Sequence, residues 1–401
     1  MNVTIERSTA RGCVTAPPSK SMAHRDLICG ALSAGSVIAN VARSEDINAT
    51  LRCLAALGAQ VEQDGDTVRI GGLTPATAAP TAPLGCHESG STLRFMIPLC
   101  LLSDKPVTLT GAERLMQRPL GVYAELCAAK GLRFEQRDNS LTVCGPLSGG
   151  RYAVPGDVSS QFISGLLFAL PLAKEDSVLA ITGKAESLSY IDLTLKALTD
   201  FGIILYRTDN AILIPGGQTY RPRTATVEGD WSNAAFLDAF NLFSGDVTVE
   251  GLDESTTQGD RVYRELFARL NSGDTTPIDL SDCPDLAPIL FAVAAAKNGG
   301  VFDGTARLKI KESDRAAAMK TELEKCGIPV TVEENRVIVH KATLHAPDSI
   351  INGHNDHRIV MAMSVLCSLV GGEIAGAEAV AKSYPNFFTD IEKLGIKVTT
   401  Q

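Results

Sequence analysis

One unit recurs along this 401-residue chain and limits its architecture more than any other feature. It consists of a short strand, a cluster of Ser, Thr or Asp, an apolar helix of about three turns, then a glycine and another strand. The six polar clusters are anchored at Ser21, Ser91, Ser160, Ser232, Asp285 and Asp356, at intervals of 70, 69, 72, 53 and 71 residues. A second signature, a helix that ends at a glycine and leads into a hairpin, runs from Leu51 to Gly72, Leu126 to Gly145, Leu198 to Gly217 and Leu323 to Lys341. Gly58, Gly131, Gly202 and Gly327 stand at its helix ends, where left-handed backbone is easiest for glycine. Each unit therefore reads β-α-β-α-β-β. The class is α/β with mixed sheets, because strand–helix alternation implies crossovers and the closing hairpins add antiparallel strands.

The short interval of 53 residues, with no hairpin at 271–276, marks the fourth unit as shortened. The sixth stops one strand into its hairpin, at Leu394-Gly395-Ile396-Lys397-Val398, while the chain begins with a lone strand, Val3-Thr4-Ile5. The N-terminal strand is expected to complete the last unit, so that one domain is made from both chain ends. With three units per domain the crossings fall near Pro17 and Glu228. That gives a first domain of residues 17–228 and a second of residues 1–16 with 229–401.

Charge and composition narrow the function. Asp plus Glu number 46 against 37 Lys plus Arg, a net charge of −9. That balance argues against nucleic acid and against simple adhesion to an anionic membrane. Aromatic residues make up 5%, too few for base-stacking platforms. Glu6, Arg7 and Arg11 interrupt any export-signal core, and the longest apolar runs, such as Ile359 to Val370, fall short of the roughly 18 residues a membrane span needs. A soluble, cytoplasmic protein is expected, most simply a monomer. Ten cysteines without a C-x-x-C pair or His/Cys cluster argue against a zinc site and against structural disulfides.

The polar clusters carry the chemistry. Hydroxyls and free N–H groups at a helix start suit anion binding, and cations placed there oppose the helix dipole unless a bound anion compensates. Pro17-Pro18-Ser19-Lys20-Ser21-Met22-Ala23-His24-Arg25 places Lys20 and Arg25 beside two hydroxyls. Glu88-Ser89-Gly90-Ser91-Thr92-Leu93-Arg94 offers Gly90 for close backbone approach to a ligand. Arg114 and Arg118 follow in a loop before Pro119, itself suited to a first helical turn. Asp157-Val158-Ser159-Ser160-Gln161 is a helix cap whose side chains would also fit phosphate oxygens, and Ser187 and Tyr190 are similarly ambiguous.

In the second half, Asp285 precedes an apolar run, as either a dipole-stabilising carboxylate or a general base. Lys311 and Arg315, four apart with Glu312 between, would share a helix face. Asn355-Asp356-His357-Arg358 leads an apolar helix, and Lys382 lies in Ala381-Lys382-Ser383-Tyr384-Pro385. Each string alone also reads as an ordinary cap or a solvated face. Together, Lys20, Arg25, Arg94, Arg118, Lys311, Arg315, Arg358 and Lys382, with two carboxylates, suit two small polyanionic substrates. Proton transfer by carboxylate or lysine, without metal or cofactor, is then expected; no Walker, Rossmann or nucleophile-elbow pattern is present.

These residues resemble the 5-enolpyruvylshikimate-3-phosphate synthase family nearly end to end. PPSKSMAHR, ESGSTLR, RLMQRP, DVSSQF, SLSYID, DCPD, KIKESDR, NDHR and AKSYP occur in family order. The resemblance implies a two-domain inside-out α/β fold of six units closing around the substrates. It also implies transfer of the enolpyruvyl group of phosphoenolpyruvate to the 5-hydroxyl of shikimate 3-phosphate through a tetrahedral adduct. Lys20, Ser21 and Arg25 then resemble the shikimate 3-phosphate site, with Lys20 also reaching phosphoenolpyruvate. Ser159, Ser160, Gln161, Ser187, Tyr190 and Lys311 resemble further contacts to the same substrate. Gly90, Arg118, Arg315, Arg358 and Lys382 resemble the phosphoenolpyruvate pocket, while Asp285 and Glu312 match the family's acid/base pair.

Glu88, Ser91 and Arg307 depart from common family residues and bear on affinity and inhibitor response. The related UDP-N-acetylglucosamine enolpyruvyl transferases normally carry a reactive loop cysteine, for which Cys86 and Cys127 are the nearest candidates. A non-catalytic phosphometabolite-binding protein on the same repeats would lack Asp285 or Glu312, and both are present.

Overall fold

The computed structural model describes residues 1–274 and 276–401. Thr275, in the stretch expected to hold no hairpin, lies outside them. The chain divides into two compact units, Pro18–Glu228 and Met1–Pro17 with Gly229–Gln401. Backbone bonds define the crossings: Asp230 N–H donates to Pro17 C=O at 2.7 Å, and Ser19 N–H to Glu228 C=O at 2.8 Å. Pro17 thus sits with the chain-end unit.

Three sheets of one design make up Pro18–Glu228. In the third repeat, Gly150–Pro155 and Ser177–Thr182 run parallel across the helix Ser160–Ala169. Ala211–Ile214 and then Tyr206–Arg207 follow antiparallel. The second repeat has the same order, Leu84–Gly85, Val107–Thr110, Ser140–Cys144 and Arg133–Arg137. Gly58, Gly131 and Gly202 close the preceding helices with positive φ, as does Gly327 in the other unit.

The chain-end unit repeats this in Ile278–Asp279, Gly300–Asp303, Arg336–Val339 and Val330–Val332. Its last sheet orders Ile351–Asn352, Gly372–Ala375, Asn2–Ile5 and Val398–Thr400. The N-terminal strand stands between two antiparallel neighbours, in the place filled elsewhere by the second hairpin strand. The fourth repeat keeps only two strands among the described residues, Arg11–Thr15 and Asp246–Glu250.

Those two strands correct one part of the sequential reading. Arg11–Thr15 precedes the first polar cluster yet pairs in the fourth repeat. Thr224–Thr226 precedes the fourth cluster yet pairs with Ser36–Ala39 in the first. The chain crosses between units just after each strand, so each strand stays with the unit the chain is leaving.

Each unit has its own core. Helices lie innermost: Lys20–Leu32, Gly90–Cys100 and Ser160–Ala169 in one unit, Ala287–Ala296 and His357–Val370 in the other, are buried on most or all faces. A run apolar all round, such as Ala287–Ala296, requires such burial. The sheets lie outside them, with outer strands such as Gln60–Asp64 largely exposed. This is the inside-out α/β arrangement. Among the described residues no helix is long and apolar enough to cross a membrane, and no group of three His, Cys, Asp or Glu is placed to hold a metal ion.

Candidate active site

Inner helices that begin at the same end of each repeat bring their polar clusters together. In Pro18–Glu228 the three clusters are joined by side-chain bonds. Lys20 opens the helix Lys20–Leu32 and donates to Asp46 Oδ2 at 2.7 Å, in the first turn of Glu45–Ala56. One turn further along both helices, His24 Nδ1 meets Thr50 Oγ1 at 2.8 Å. Thr50 continues to Thr92 Oγ1 at 2.7 Å, and Thr92 donates to Ser89 Oγ at 2.7 Å, the cap of Gly90–Cys100.

Arg25 is buried and spans to the third repeat. Its Nε donates to Thr194 Oγ1 at 2.8 Å and its Nη2 to Tyr190 C=O at 2.8 Å; its Nη1 donates to Ser21 C=O at 2.6 Å. Burial pulls this guanidinium down to about 10, which leaves it charged at neutral pH. Gly90 is in place for a steric reason: a Cβ there would lie 2.6 Å from Arg118 Nη1.

Ser159 caps Ser160–Ala169 by accepting from Gln161 N–H at 3.3 Å. Gln161 Nε2 donates to Ser91 Oγ at 3.0 Å, so the departure at Ser91 keeps a hydroxyl in use. Ser160 is buried, and Ser187 stands just before Leu188–Asp200 in the left-handed region at φ 55°.

Arg94 joins the second and third clusters. It is buried, donates to Gln161 Oε1 at 2.7 Å and Pro119 C=O at 3.1 Å, and thereby orients Gln161. Pro119 precedes the helix Gly121–Lys130 instead of entering its first turn.

The chain-end unit centres on Asp285. Its Oδ1 accepts from Arg315 Nη1 at 2.8 Å and Lys311 Nζ at 3.3 Å, and its Oδ2 from Arg358 Nη2 at 2.9 Å. Burial alone would push this carboxyl up; Arg358, Lys311 and Arg315 together outweigh it and hold the group well below the usual carboxylate range. Burial also pulls Lys311 below its ordinary value, with Asp285 opposing. Arg315 further donates to Glu312 Oε2 at 2.8 Å and to Asp356 Oδ2 at 2.9 Å. Its own burial is outweighed by Asp356, Glu312 and Asp285, so its charge is reinforced. Arg358 reaches back to Ser232 Oγ in the fourth repeat, and Lys382 donates to Asn355 C=O at 2.5 Å. Arg307 donates to Ser281 C=O at 2.6 Å.

Lys311 and Arg315 do not share a helix face as their spacing suggests. Asp314 accepts from Ala317 N–H at 3.1 Å and caps the helix Arg315–Lys325, so Lys311 lies in the preceding turn. Both cations still reach Asp285. Asp46, Thr194, Ser232 and Asp356 complete these networks. Ser232 and Asp356 anchor polar clusters of the repeat; Asp46 and Thr194 look in sequence like ordinary cap and helix residues.

Cys86 and Cys127 are buried, and burial pushes the Cys127 thiol up to about 11. Cys86 is raised well above its usual value, first by its bond with Cys53 and then by burial. Neither is a ready thiolate.

The fold is shared with solved enolpyruvyl transferases. It aligns over the whole of both chains with the EPSP synthase of Acinetobacter baumannii, at a TM-score of 0.79 and 23% identity. It also aligns with the enolpyruvyl transferase NikO of Streptomyces tendae, at 0.77 and 15%, covering 99% and 98% of the two chains. Sequence is more specific. A family model described as EPSP synthase (3-phosphoshikimate 1-carboxyvinyltransferase) matches residues 6–391. The 3-phosphoshikimate 1-carboxyvinyltransferase of Clostridium kluyveri is 39% identical, covering 98% of this chain and 97% of its own. That of Clostridioides difficile is 36% identical, with the same coverage. The chain belongs to the EPSP synthase family.

Proposed function

We propose that this protein transfers the enolpyruvyl group of phosphoenolpyruvate to the 5-hydroxyl of shikimate 3-phosphate, giving 5-enolpyruvylshikimate 3-phosphate and inorganic phosphate. Family membership along almost the whole chain supports the substrates. The observation that carries the chemistry is Asp285 held ionised by Arg315, Arg358 and Lys311, with Glu312 on the same Arg315. Lys20, Ser21, Arg25, Ser159, Ser160, Gln161, Ser187 and Tyr190 serve shikimate 3-phosphate, together with Lys311. Gly90, Arg118, Arg315, Arg358 and Lys382 serve phosphoenolpyruvate, which Lys20 also reaches.

Without substrate, Asp285 is a weak base because three cations satisfy it. An anionic substrate that draws those cations onto its own oxygens raises the basicity of Asp285 when the hydroxyl arrives. Asp285 takes the hydroxyl proton as oxygen bonds to C2 of phosphoenolpyruvate, and Glu312 delivers a proton to the methylene carbon. A methyl proton then returns to Glu312 and phosphate departs from the tetrahedral adduct carrying the proton Asp285 had taken, which forms the enol ether and restores both carboxyl groups. The surrounding cations stabilise the charge on the adduct and the leaving phosphate.

Phosphate release should require both phosphoenolpyruvate and shikimate 3-phosphate, read in a coupled phosphate assay. Release that depends on UDP-N-acetylglucosamine instead would overturn the assignment. The buried Cys86 and Cys127 favour the shikimate substrate over that alternative.

A further inference from the structure

We infer that Glu322, outside the acid/base and cation set, is a positioning residue for the phosphoenolpyruvate pocket: its carboxylate holds the 352–355 turn in the left-handed course that presents Asn355 C=O to Lys382. This inference rests on the function proposed above. Glu322 lies on the helix Arg315–Lys325 and is fully buried. Its Oε2 accepts from Lys325 Nζ at 2.7 Å and from Asn352 N–H at 3.0 Å, and its Oε1 accepts from His354 Nε2 at 2.7 Å. His354 N–H donates in turn to Asn352 Oδ1 at 2.7 Å. One carboxylate therefore grips the turn at both its backbone and its side chain.

The turn needs that grip. His354 and Asn355 are consecutive non-glycine residues at φ 50° and 51°, backbone that a Cβ makes unfavourable and that persists where surroundings over-determine it. Gly353 before them has no room for a side chain, since a Cβ there would lie 2.6 Å from Val360 Cγ2. Released from Glu322, the turn would relax towards negative φ and swing the Asn355 carbonyl away from Lys382, which it meets at 2.5 Å. Its next residue, Asp356, donates its N–H to Gly353 C=O at 2.9 Å, caps the helix bearing Arg358, and holds Arg315. The turn thus sets Lys382 directly, while Asp356 keeps its hold on Arg315 through its helix cap and the bond it accepts from Ser313. Burial would push the Glu322 carboxyl up, but His354, Lys325 and the Asn352 amide hold it below its ordinary value, so it grips as an anion.

Steady-state kinetics of the full chain with both substrates varied test this, on Glu322→Gln and His354→Ala. Glutamine keeps the volume but turns an amide NH2 towards groups that are themselves donors. Both variants should raise KM for phosphoenolpyruvate about tenfold or more, with KM for shikimate 3-phosphate and kcat at saturating phosphoenolpyruvate within roughly twofold of wild type. A merely structural role would lower the active fraction, and so kcat, and leave both KM values unchanged. His354→Ala keeps the Glu322–Lys325 pair, so it decides the matter even if Glu322→Gln does not fold. An unchanged KM for phosphoenolpyruvate in His354→Ala overturns the inference. A wild-type protein without shikimate 3-phosphate-dependent turnover overturns the functional reading itself and the pocket's identity with it.

Discussion

Asp285 and Glu312 share one arginine yet sit in different electrostatic settings, and their substitution should separate chemistry from stability. Asp285 compensates three cations, two of them fully or almost fully buried: the Arg315 and Arg358 side chains are 1% and 5% exposed. Asp285→Ala removes the one carboxylate that Arg315, Arg358 and Lys311 all contact and should cost about 3–5 kcal/mol as well as activity. Glu312 holds Arg315 alongside Asp285 and Asp356, so its removal leaves the guanidinium with two carboxylates. Glu312→Gln should therefore keep a near wild-type melting temperature while lowering kcat by about a hundredfold or more. Calorimetry beside the phosphate assay checks the pair; a Glu312→Gln enzyme of normal turnover would remove Glu312 from proton transfer. In sequence Glu312 is a candidate as a carboxylate among the cations of Lys309-Ile310-Lys311-Glu312-Ser313-Asp314-Arg315, and Asp285 as a carboxylate heading an apolar run, each gaining weight only from the set of family motifs. Supporting carboxylates elsewhere were less legible. Asp46 reads as a dipole-stabilising residue and Glu322 as one of several helix acids, since a side chain's partner from another helix leaves no trace in local sequence.

Helix pairs are pinned by rungs that repeat at helical spacing. Lys20 and His24 are four apart on one helix, Asp46 and Thr50 four apart on the next, and the two bonds Lys20–Asp46 and His24–Thr50 stack one turn from each other. His24 is fully enclosed, with Nε2 lacking a partner among the described residues. Burial first, then Lys20 and Arg25, holds it well below its ordinary value. The native helix therefore keeps His24 neutral while the unfolded chain takes up a proton below about pH 6.5. Its contribution is complete above that pH and is lost as pH falls towards the depressed native value, at about 1.4 kcal/mol per pH unit. Asp26 on the same helix, pushed up to about 7 by burial, adds the opposite slope in both proteins. Hydrogen exchange of core amides in Lys20–Leu32, followed from pH 7.5 to 5.5, should therefore show wild type losing stability relative to His24→Gln as pH falls below about 6.5. Equal slopes would contradict it. The elements themselves were readable from caps, glycine stops and apolar runs. Lys311 was misplaced because a four-residue spacing cannot reveal that Asp314 starts the helix afresh.

Across the whole molecule, sixfold repetition explains why distant strings act together. Each unit gathers three repeats with their inner helices starting at one end, so residues some 70 positions apart, such as Ser91 and Gln161, share a hydrogen bond. Both chain ends complete one sheet: Asn2 and Gln401 exchange backbone bonds of 3.1 and 2.9 Å, like neighbours in the hairpins of other repeats. A circular permutant that joins Gln401 to Asn2 through an Asn-Gly turn and opens the exposed loop between Ala342 and Thr343 should fold, with a melting temperature within about 5 °C of wild type. Loss of cooperative melting in calorimetry would refute the equivalence of this sheet with the others. Sequence alone determined the repeat, the trimmed fourth unit, the need for the N-terminal strand in the last sheet and the family motifs, because these rest on periodicity and local backbone chemistry. Tertiary structure alone decided that Arg11–Thr15 and Thr224–Thr226 pair across repeat boundaries, that Arg94 orients Gln161, and that Glu322 grips the turn beneath Lys382. Those outcomes depend on which helix a side chain faces across a buried interface, and that is fixed only when the whole chain packs.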